Sequence, residues 1–331
     1  MTTTDQTQRL ASLYGGELQP LLAELEQLRR RTRTRVLIAI AAIIPLVLLA
    51  LVSMRWIGTF GIIIGTVLSL VAWGLITGGP LKAYRRHFKG EVLSRLVALV
   101  DPSLRYDAAS GIDRETFRAS GIYRRGIDRY SCEDLFVGTV GATAFRFSEV
   151  HAEYKTTTTD SKGRTRTTWH TIFKGIFFVA DFNKHFHGQT FVLPDTAEST
   201  LGGIGRWFQE LGGKIDGRPG ELVSLESPEF ERLFVVHSTD QVEARYILSP
   251  SLMERLVQLR NETSAGLAVS FVNSCIYIAI PSTKNRFEPP SIWAATAELS
   301  LDELKRYMAD VRLAEDLVAD LNLNTRIWSK Q

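Results

Sequence analysis

Four histidines are the residues of this chain best suited to bind a metal ion. His185 and His187 are two residues apart, so on a strand both side chains would face the same way and could direct a nitrogen at one ion. His151 or His170, in neighbouring predicted strands, could supply a third ligand. The lysine and glycine that flank the pair are typical of a turn, which makes solvent-exposed turn histidines the alternative interpretation. The histidine pattern thus leaves a metal-dependent, hydrolase-like enzyme open as one hypothesis.

A thiol beside two carboxylates, Cys132-Glu133-Asp134, is the other reactive combination. Neighbouring acids raise the pKa of a thiol and lower its reactivity, so we interpret the segment as a turn into a strand that begins at Leu135. Cys132 and Cys275 fit neither a zinc spacing nor a disulfide framework.

The sequence Gly203 to Phe208 begins like a dinucleotide loop but lacks the third glycine, and no Walker, zincin, hydrolase or kinase motif occurs. No catalytic residue and no cofactor are predicted, which favours a protein that is not an enzyme.

A long apolar segment predicts where the protein is located. Residues Val36 to Ile76 are almost entirely apolar, with Arg55 as the single charged residue, and the stretches Val36 to Met54 and Ile57 to Ile76 each approach the roughly 20 residues that a helix needs to cross a bilayer. Backbone groups at bilayer depth must be satisfied within the chain. We therefore expect two membrane helices joined by a tight turn near Arg55 and Trp56.

Basic residues crowd both outer flanks of this hairpin, which predicts its orientation and a contact with anionic lipids. The flanking cations are Arg29, Arg30, Arg31, Arg33, Arg35, Lys82, Arg85, Arg86 and Lys89. Cytoplasmic loops carry an excess of lysine and arginine, so both termini are expected in the cytoplasm of a two-span inner-membrane protein. Each cation near an anionic surface contributes about 1 kcal/mol of attraction.

Small residues on one face of the second span predict close helix packing. Gly61 and Gly65 form a G-x-x-x-G pattern, and Ser69 follows one turn later. The first interpretation is packing inside the hairpin against alanines of the first span. Those alanines are Ala39, Ala41 and Ala42. Formation of a homo-oligomer through the same face is the alternative, and it would suit an accessory of a transporter or channel.

The remaining chain predicts an α+β fold with mainly antiparallel sheet and covering helices. The expected strands are Leu135 to Val140, Ala144 to Thr157, Thr167 to Phe182, Thr190 to Val192, Glu221 to Leu225, Phe234 to His237, Ala244 to Leu248 and a pair within Ala268 to Ile280. The expected helices are Leu81 to Val100, Thr200 to Leu211, Pro250 to Arg260 and one that starts at the capping box Ser300 to Glu303.

The two longest strands predict a hairpin with a basic, threonine-rich tip at Thr158 to Arg166. A solvated loop is favoured there over a lipid-binding finger. No stacking aromatic residues interleave with the tip's basic residues, so no nucleic-acid partner is expected.

Four segments follow from these patterns. Residues 1–35 are a cytoplasmic amphipathic helix and basic flank, 36–77 the transmembrane hairpin, 78–130 a juxtamembrane helical segment, and 131–331 the cytoplasmic α+β domain, with a possible sub-boundary near 215–228. Gly78-Gly79-Pro80 predicts a hinge after the second span.

Six short segments together resemble a bacterial membrane family defined by the domain of unknown function DUF3137. The segments are Asp134 to Gly138, Phe147 to Val150, Phe173 to Lys184, Ser227 to Glu231, Ala244 to Pro250 and Tyr277 to Pro281. The resemblance covers about Glu91 to Ile292 and implies a bacterial inner-membrane protein with no known activity. It supplies no catalytic residues, and it suggests a LemA-like membrane-anchored helical protein as a partner. We therefore expect a membrane-anchored cytoplasmic scaffold or sensor that acts through protein or lipid contacts.

Overall fold

The computed structural model describes residues 14–182, 185–195, 220–263, 266–294 and 299–320. The chain divides into two units. The first, here called the hairpin unit, is drawn from Met1–Asp101 and Arg286–Ala309, and the second, the sheet unit, from Pro102–Asn285 and Asp310–Gln331. The predicted helix Thr200 to Leu211 and the glycine motif within it lie outside the described residues.

Two long helices dominate the hairpin unit. Helix α1 spans Gln19–Ile57 and follows a π-helical turn at Tyr14–Leu18, while α2 spans Thr59–His87 and continues through a π-helical segment, Phe88–Leu93, into α3, Ser94–Val100. By length and composition, both long helices are able to cross a membrane.

The reversal between α1 and α2 lies at Gly58, whose φ of 64° suits glycine, rather than at the predicted Arg55 and Trp56. The predicted hinge at Gly78-Gly79-Pro80 is wrong, because α2 passes through it without a break. At this level the hydroxyl of Thr32 donates to the carbonyl of Pro80 at 3.4 Å. Contacts between the helices therefore outweigh the weak intrinsic helix propensity of these three residues.

The buried residues of α1 recur every three or four positions, which is the spacing of helices that pack side by side. They include Leu22, Leu25, Arg29, Thr32, Val36 and Ala39. The second helix contributes Gly61, Ser69, Thr77 and Tyr84.

Gly65 marks a close approach between α1 and α2. A Cβ atom at Gly65 would lie 2.3 Å from the Cβ of Ala50. Gly65 thus lies against the first helix, and the alanine it meets is Ala50 instead of Ala39, Ala41 or Ala42.

In the part of the chain that the structure describes, the sheet unit contains nine strands, and all neighbouring strands are antiparallel. The strands are β1 Arg105–Asp107, β2 Arg129–Val140, β3 Thr143–Thr159, β4 Thr165–Asp181, β5 Thr190–Pro194, β6 Glu221–Leu222, β7 Phe234–Ser238, β8 Ala268–Val272 and β9 Cys275–Pro281. Their order is β1-β2-β3-β4-β9-β8-β5-β7-β6. The predicted α+β class with antiparallel sheet is confirmed, and so are the β3–β4 hairpin and the turn at Asn273 and Ser274, both of which have positive φ.

The other described helices are α4 Arg114–Ala119, α5 Pro228–Leu233, α6 Gln241–Ile247, α7 Pro250–Thr263 and α8 Leu301–Asp320. The predicted strand Ala244 to Leu248 is wrong. Its residues belong to α6, because the carboxylate of Asp240 accepts the backbone N–H groups of Val242 and Glu243 at 2.8 and 3.0 Å and so caps a helix. The capping box of α8 is confirmed by reciprocal hydrogen bonds between Ser300 and Glu303.

One face of the sheet packs against the segment that contains α4. The ring of Phe117 lies 4.8 Å from that of Phe177 and 5.8 Å from that of Phe173, both on β4. Ile112, Ile122 and other side chains of the same segment complete this core. The burial of these aromatic and aliphatic side chains supplies the main stabilisation of the sheet unit.

Candidate functional site

The most elaborate set of polar contacts in the described residues lies where the basic ends of α1 and α2 meet a segment from much later in the chain. We call that segment, residues 286–294, the strap. We call the strap together with the helix residues that bind it the collar. All of these residues belong to the hairpin unit.

Arg29 is the central residue of the collar. Its side chain is only 3 % exposed, and its Nε and Nη2 atoms each donate to a carboxylate oxygen of Glu26 at 2.8 Å. Its Nη1 donates to the strap carbonyls of Ile292 and Ala294 at 3.0 and 2.7 Å. A buried charge is tolerated when it is both paired and hydrogen-bonded, so Arg29 joins α1 to the strap without leaving an uncompensated charge.

The second helix binds the strap through Glu288 and Pro290. The carboxylate of Glu288 lies 3.1 Å from Nε of Arg85 and 3.1 Å from Nζ of Lys89. The hydroxyl of Tyr84 donates to the carbonyl of Pro290 at 2.9 Å, and burial raises the pKa of Tyr84 to about 12. Tyr84 therefore stays a neutral donor at physiological pH.

These contacts divide the nine cations that were predicted to meet lipid. Arg29 and Lys89 are buried in the collar, where they bind protein groups. Arg85 is exposed but paired with Glu288. The remaining six are exposed, and they are Arg30, Arg31, Arg33, Arg35, Lys82 and Arg86; of these, Arg30 also pairs with Glu26, with Nε 2.6 Å from its carboxylate. The strap residues were missed by the sequence analysis because nothing in their local pattern indicates that they bind helices about 200 positions earlier.

The helix pairing places the two apolar runs in register. Thr32 contacts Pro80, and one further turn along each helix, about 6 Å, come Val36 and Ile76, the predicted ends of the two spans. Between this level and the reversal at Gly58, many apolar side chains on the outer faces of the two helices are more than half exposed. They include Leu49 at 65 %, Phe60 at 68 %, Leu70 at 66 % and Leu75 at 79 %.

The four candidate histidines occupy separate settings. Nε2 of His151 lies 3.7 Å from Oε1 of Glu153, and burial lowers the pKa of His151. His170 stacks on Tyr154. His185 and His187 are exposed. Among the described residues, these four side chains form no group of three donors close enough to share an ion.

Three carboxylates in the sheet unit do lie close together. Donor oxygens of Glu133, Asp134 and Glu149 are within 4.8 Å of one another, at a bulge in β2 where Asp134 has a φ of 59°. The hydroxyl of Tyr106 donates to Asp134 at 2.5 Å, and burial raises the pKa of Tyr106. An all-oxygen group of this kind suits a hard cation such as Mg²⁺ or Ca²⁺.

Cys132, next to this group, has a raised pKa, caused first by burial and then by Asp113 and Glu133. The sequence analysis named the two acids beside the thiol, but it could not place Glu149 on the neighbouring strand. A thiol with a raised pKa is a poor nucleophile at physiological pH.

The tip of the β3–β4 hairpin extends past its neighbours in the sheet. Pairing with β2 ends at Glu153 and pairing with β9 ends at Gly175, so the rest of the hairpin is a two-stranded arm. Its exposed cations are Lys155, Lys162, Arg164 and Arg166. Arg164 is paired with Asp160 at 2.8 Å across the turn.

Comparison with known proteins supports the family resemblance. Residues 171–323 match the family model described as a protein of unknown function (DUF3137). No curated protein matches. The crystal structure of the mycobacterial trehalose monomycolate transport factor A, TtfA, is similar at a TM-score of 0.33 and 12 % sequence identity, over 69 % of this chain and 95 % of that one. A similarity of this size supports no conclusion about function.

Proposed function

We propose that this chain is a two-span membrane protein that holds its α+β domain at the cytoplasmic surface of a bacterial inner membrane, as a scaffold or sensor acting through protein and lipid contacts. The observation that carries the proposal is the broad apolar surface on the outer faces of α1 and α2, which ends at the level of the collar. Continuous exposed apolar surface of this size is typical of a membrane or protein contact.

The level at which the apolar surface ends supports a bilayer as the contact. Because Thr32 contacts Pro80, Val36 and Ile76, each one turn further along its helix, are at the same level, so both apolar runs end in one plane. The exposed cations lie beyond that plane, whereas Arg55 is the single cation near the opposite ends of the two spans. This difference favours a cytoplasmic location for the ends that carry the cations. We therefore propose that the six exposed cations meet anionic headgroups.

The packing of the hairpin bears on how partners bind. Gly65 lies against Ala50 of the first helix, and Gly61 and Ser69 are buried, which supports the proposal that partners bind the outer helix faces or the sheet unit instead of this face. A LemA-like helical membrane protein, suggested by the family resemblance, is a partner of this kind.

Purification of the full-length protein from gently solubilised native membranes distinguishes this proposal from the metal-dependent enzyme. We expect a reproducible co-purifying protein, absent when an unrelated two-span protein is purified in the same way, and no stoichiometric metal by elemental analysis. A metal bound one to one, with no partner, would contradict the proposal. Loss of that metal on changing Glu149 to Gln would then assign it to the carboxylate group, and loss on changing His151 to Ala would assign it to the histidines.

A further inference from the structure

Trp293 on the strap is a large apolar side chain at the edge of the collar, and 51 % of it is exposed. The guanidinium carbon of Arg33 lies 5.7 Å from the centre of its indole ring, which is within cation–π range.

The backbone around Trp293 is fixed on both sides. The carbonyls of the residues before and after it, Ile292 and Ala294, both accept from the buried Arg29, and the N–H of Ala294 donates to the carbonyl of Ser291 at 2.9 Å. The exposed position of the indole is therefore set by a buried charge network.

The position of Arg33 gives the depth of this ring relative to the apolar surface. Arg33 precedes Val36 by three residues, or about 4.5 Å along α1. Indole rings favour the layer where lipid headgroups meet the acyl chains, because the ring is apolar and its N–H is a donor.

We propose that Trp293 is an interfacial anchor whose indole inserts among the lipid headgroups at the cytoplasmic ends of α1 and α2. This inference rests on the proposed function, because the depth has meaning only if the helices cross the bilayer. A segment late in the chain thus contacts the membrane in addition to the two helices near the start of the chain. The strap is thereby held on the membrane surface by its own side chain as well as by the collar.

Trp169 provides a matched comparison within the same chain. It is also half exposed, at 39 %, and also lies under an arginine, with Arg129 at 3.9 Å from the ring centre. Its cross-strand partner is Lys155, and the described residues on the same face of β4 at either side of it are Thr167 and Thr171, so its immediate neighbours on that face are polar. An arginine over a half-exposed indole is thus common to both sites, and the adjacent apolar run distinguishes Trp293.

Fluorescence quenching by brominated lipids tests the proposal. The full-length protein is placed in vesicles of phosphatidylethanolamine and phosphatidylglycerol that carry bromine either near the headgroup or deep in the acyl chains. We expect Trp293→Phe to remove part of the emission that the shallow label quenches, and Trp169→Phe to remove only emission that neither label quenches. Trp293→Tyr, which keeps an interfacial side chain, should remove the same tryptophan signal while leaving membrane binding and far-ultraviolet circular dichroism unchanged.

Trp73, in the second span, separates the two ways in which the proposal could fail. If Trp73→Phe removes quenched emission and Trp293→Phe removes only unquenched emission, the helices are in the bilayer and Trp293 is not an anchor. If Trp73→Phe removes no quenched emission either, the membrane-spanning proposal fails and this inference fails with it.

Discussion

Changing Arg29 to alanine is expected to release the strap and to lower the stability of the hairpin unit by about 3–5 kcal/mol. The substitution removes the guanidinium that donates to the carbonyls of Ile292 and Ala294, and it leaves the carboxylate of Glu26 with only the exposed Arg30 as an arginine partner. The measurement is thermal unfolding of the full-length protein in detergent, together with amide hydrogen exchange of residues 286–294, which should become much faster.

Arg31→Ala is the matched control, because Arg31 is an exposed arginine of the same helix, two residues away. It should change neither the unfolding temperature nor the exchange of the strap by a measurable amount. Equal effects from the two substitutions would contradict the role assigned to Arg29.

Changing Gly65 to alanine is expected to separate α1 from α2 and to cost about 1–3 kcal/mol, the usual range for overpacking. The new Cβ atom would lie 2.3 Å from the Cβ of Ala50, a distance that neither helix accommodates without moving. The same thermal unfolding assay measures the loss, and a cysteine pair placed on the two helices should cross-link more slowly.

Two further variants isolate the cause. Gly74→Ala adds the same methyl group to the same helix where nothing lies within 4 Å, so it should be neutral or slightly stabilising. Ala50→Gly in the Gly65→Ala background removes the clashing atom and should restore most of the lost stability. If Ala50→Gly does not restore the stability of the Gly65→Ala variant, the close approach of these two residues is not the cause of the lost stability.

Local patterns predicted most of the elements of this protein. The apolar runs predicted both long helices, alternation with β-branched residues predicted most strands, and the sequence from Ser300 to Glu303 predicted the start of α8. Two predictions were wrong because a contact outside the local pattern decided the structure. Asp240 caps α6, so a strand-like sequence forms a helix. Contacts with α1 keep α2 helical at Gly78, Gly79 and Pro80.

The collar, in contrast, could not be predicted from the sequence. The basic flanks predicted lipid contacts, but Arg29 and Lys89 are buried against groups of the strap. Arg29 also pairs with the nearby Glu26, but the strap groups that these two cations bind are two backbone carbonyls and one glutamate about 200 to 265 residues away, and a backbone carbonyl has no sequence pattern. Gly65 of the predicted G-x-x-x-G face approaches Ala50, and the identity of that alanine depends on the register of the hairpin.

The most direct test of the account is the side of the membrane on which each unit lies. In a background with Cys132 and Cys275 changed to serine, single cysteines replace Thr59, beside the reversal at Gly58, and Lys162, at the tip of the β3–β4 hairpin. A membrane-impermeant maleimide should label the first in intact spheroplasts and the second only after permeabilisation. Labelling of both from the outside, or of neither until the membrane is opened, would contradict the two-span arrangement on which the proposed function depends.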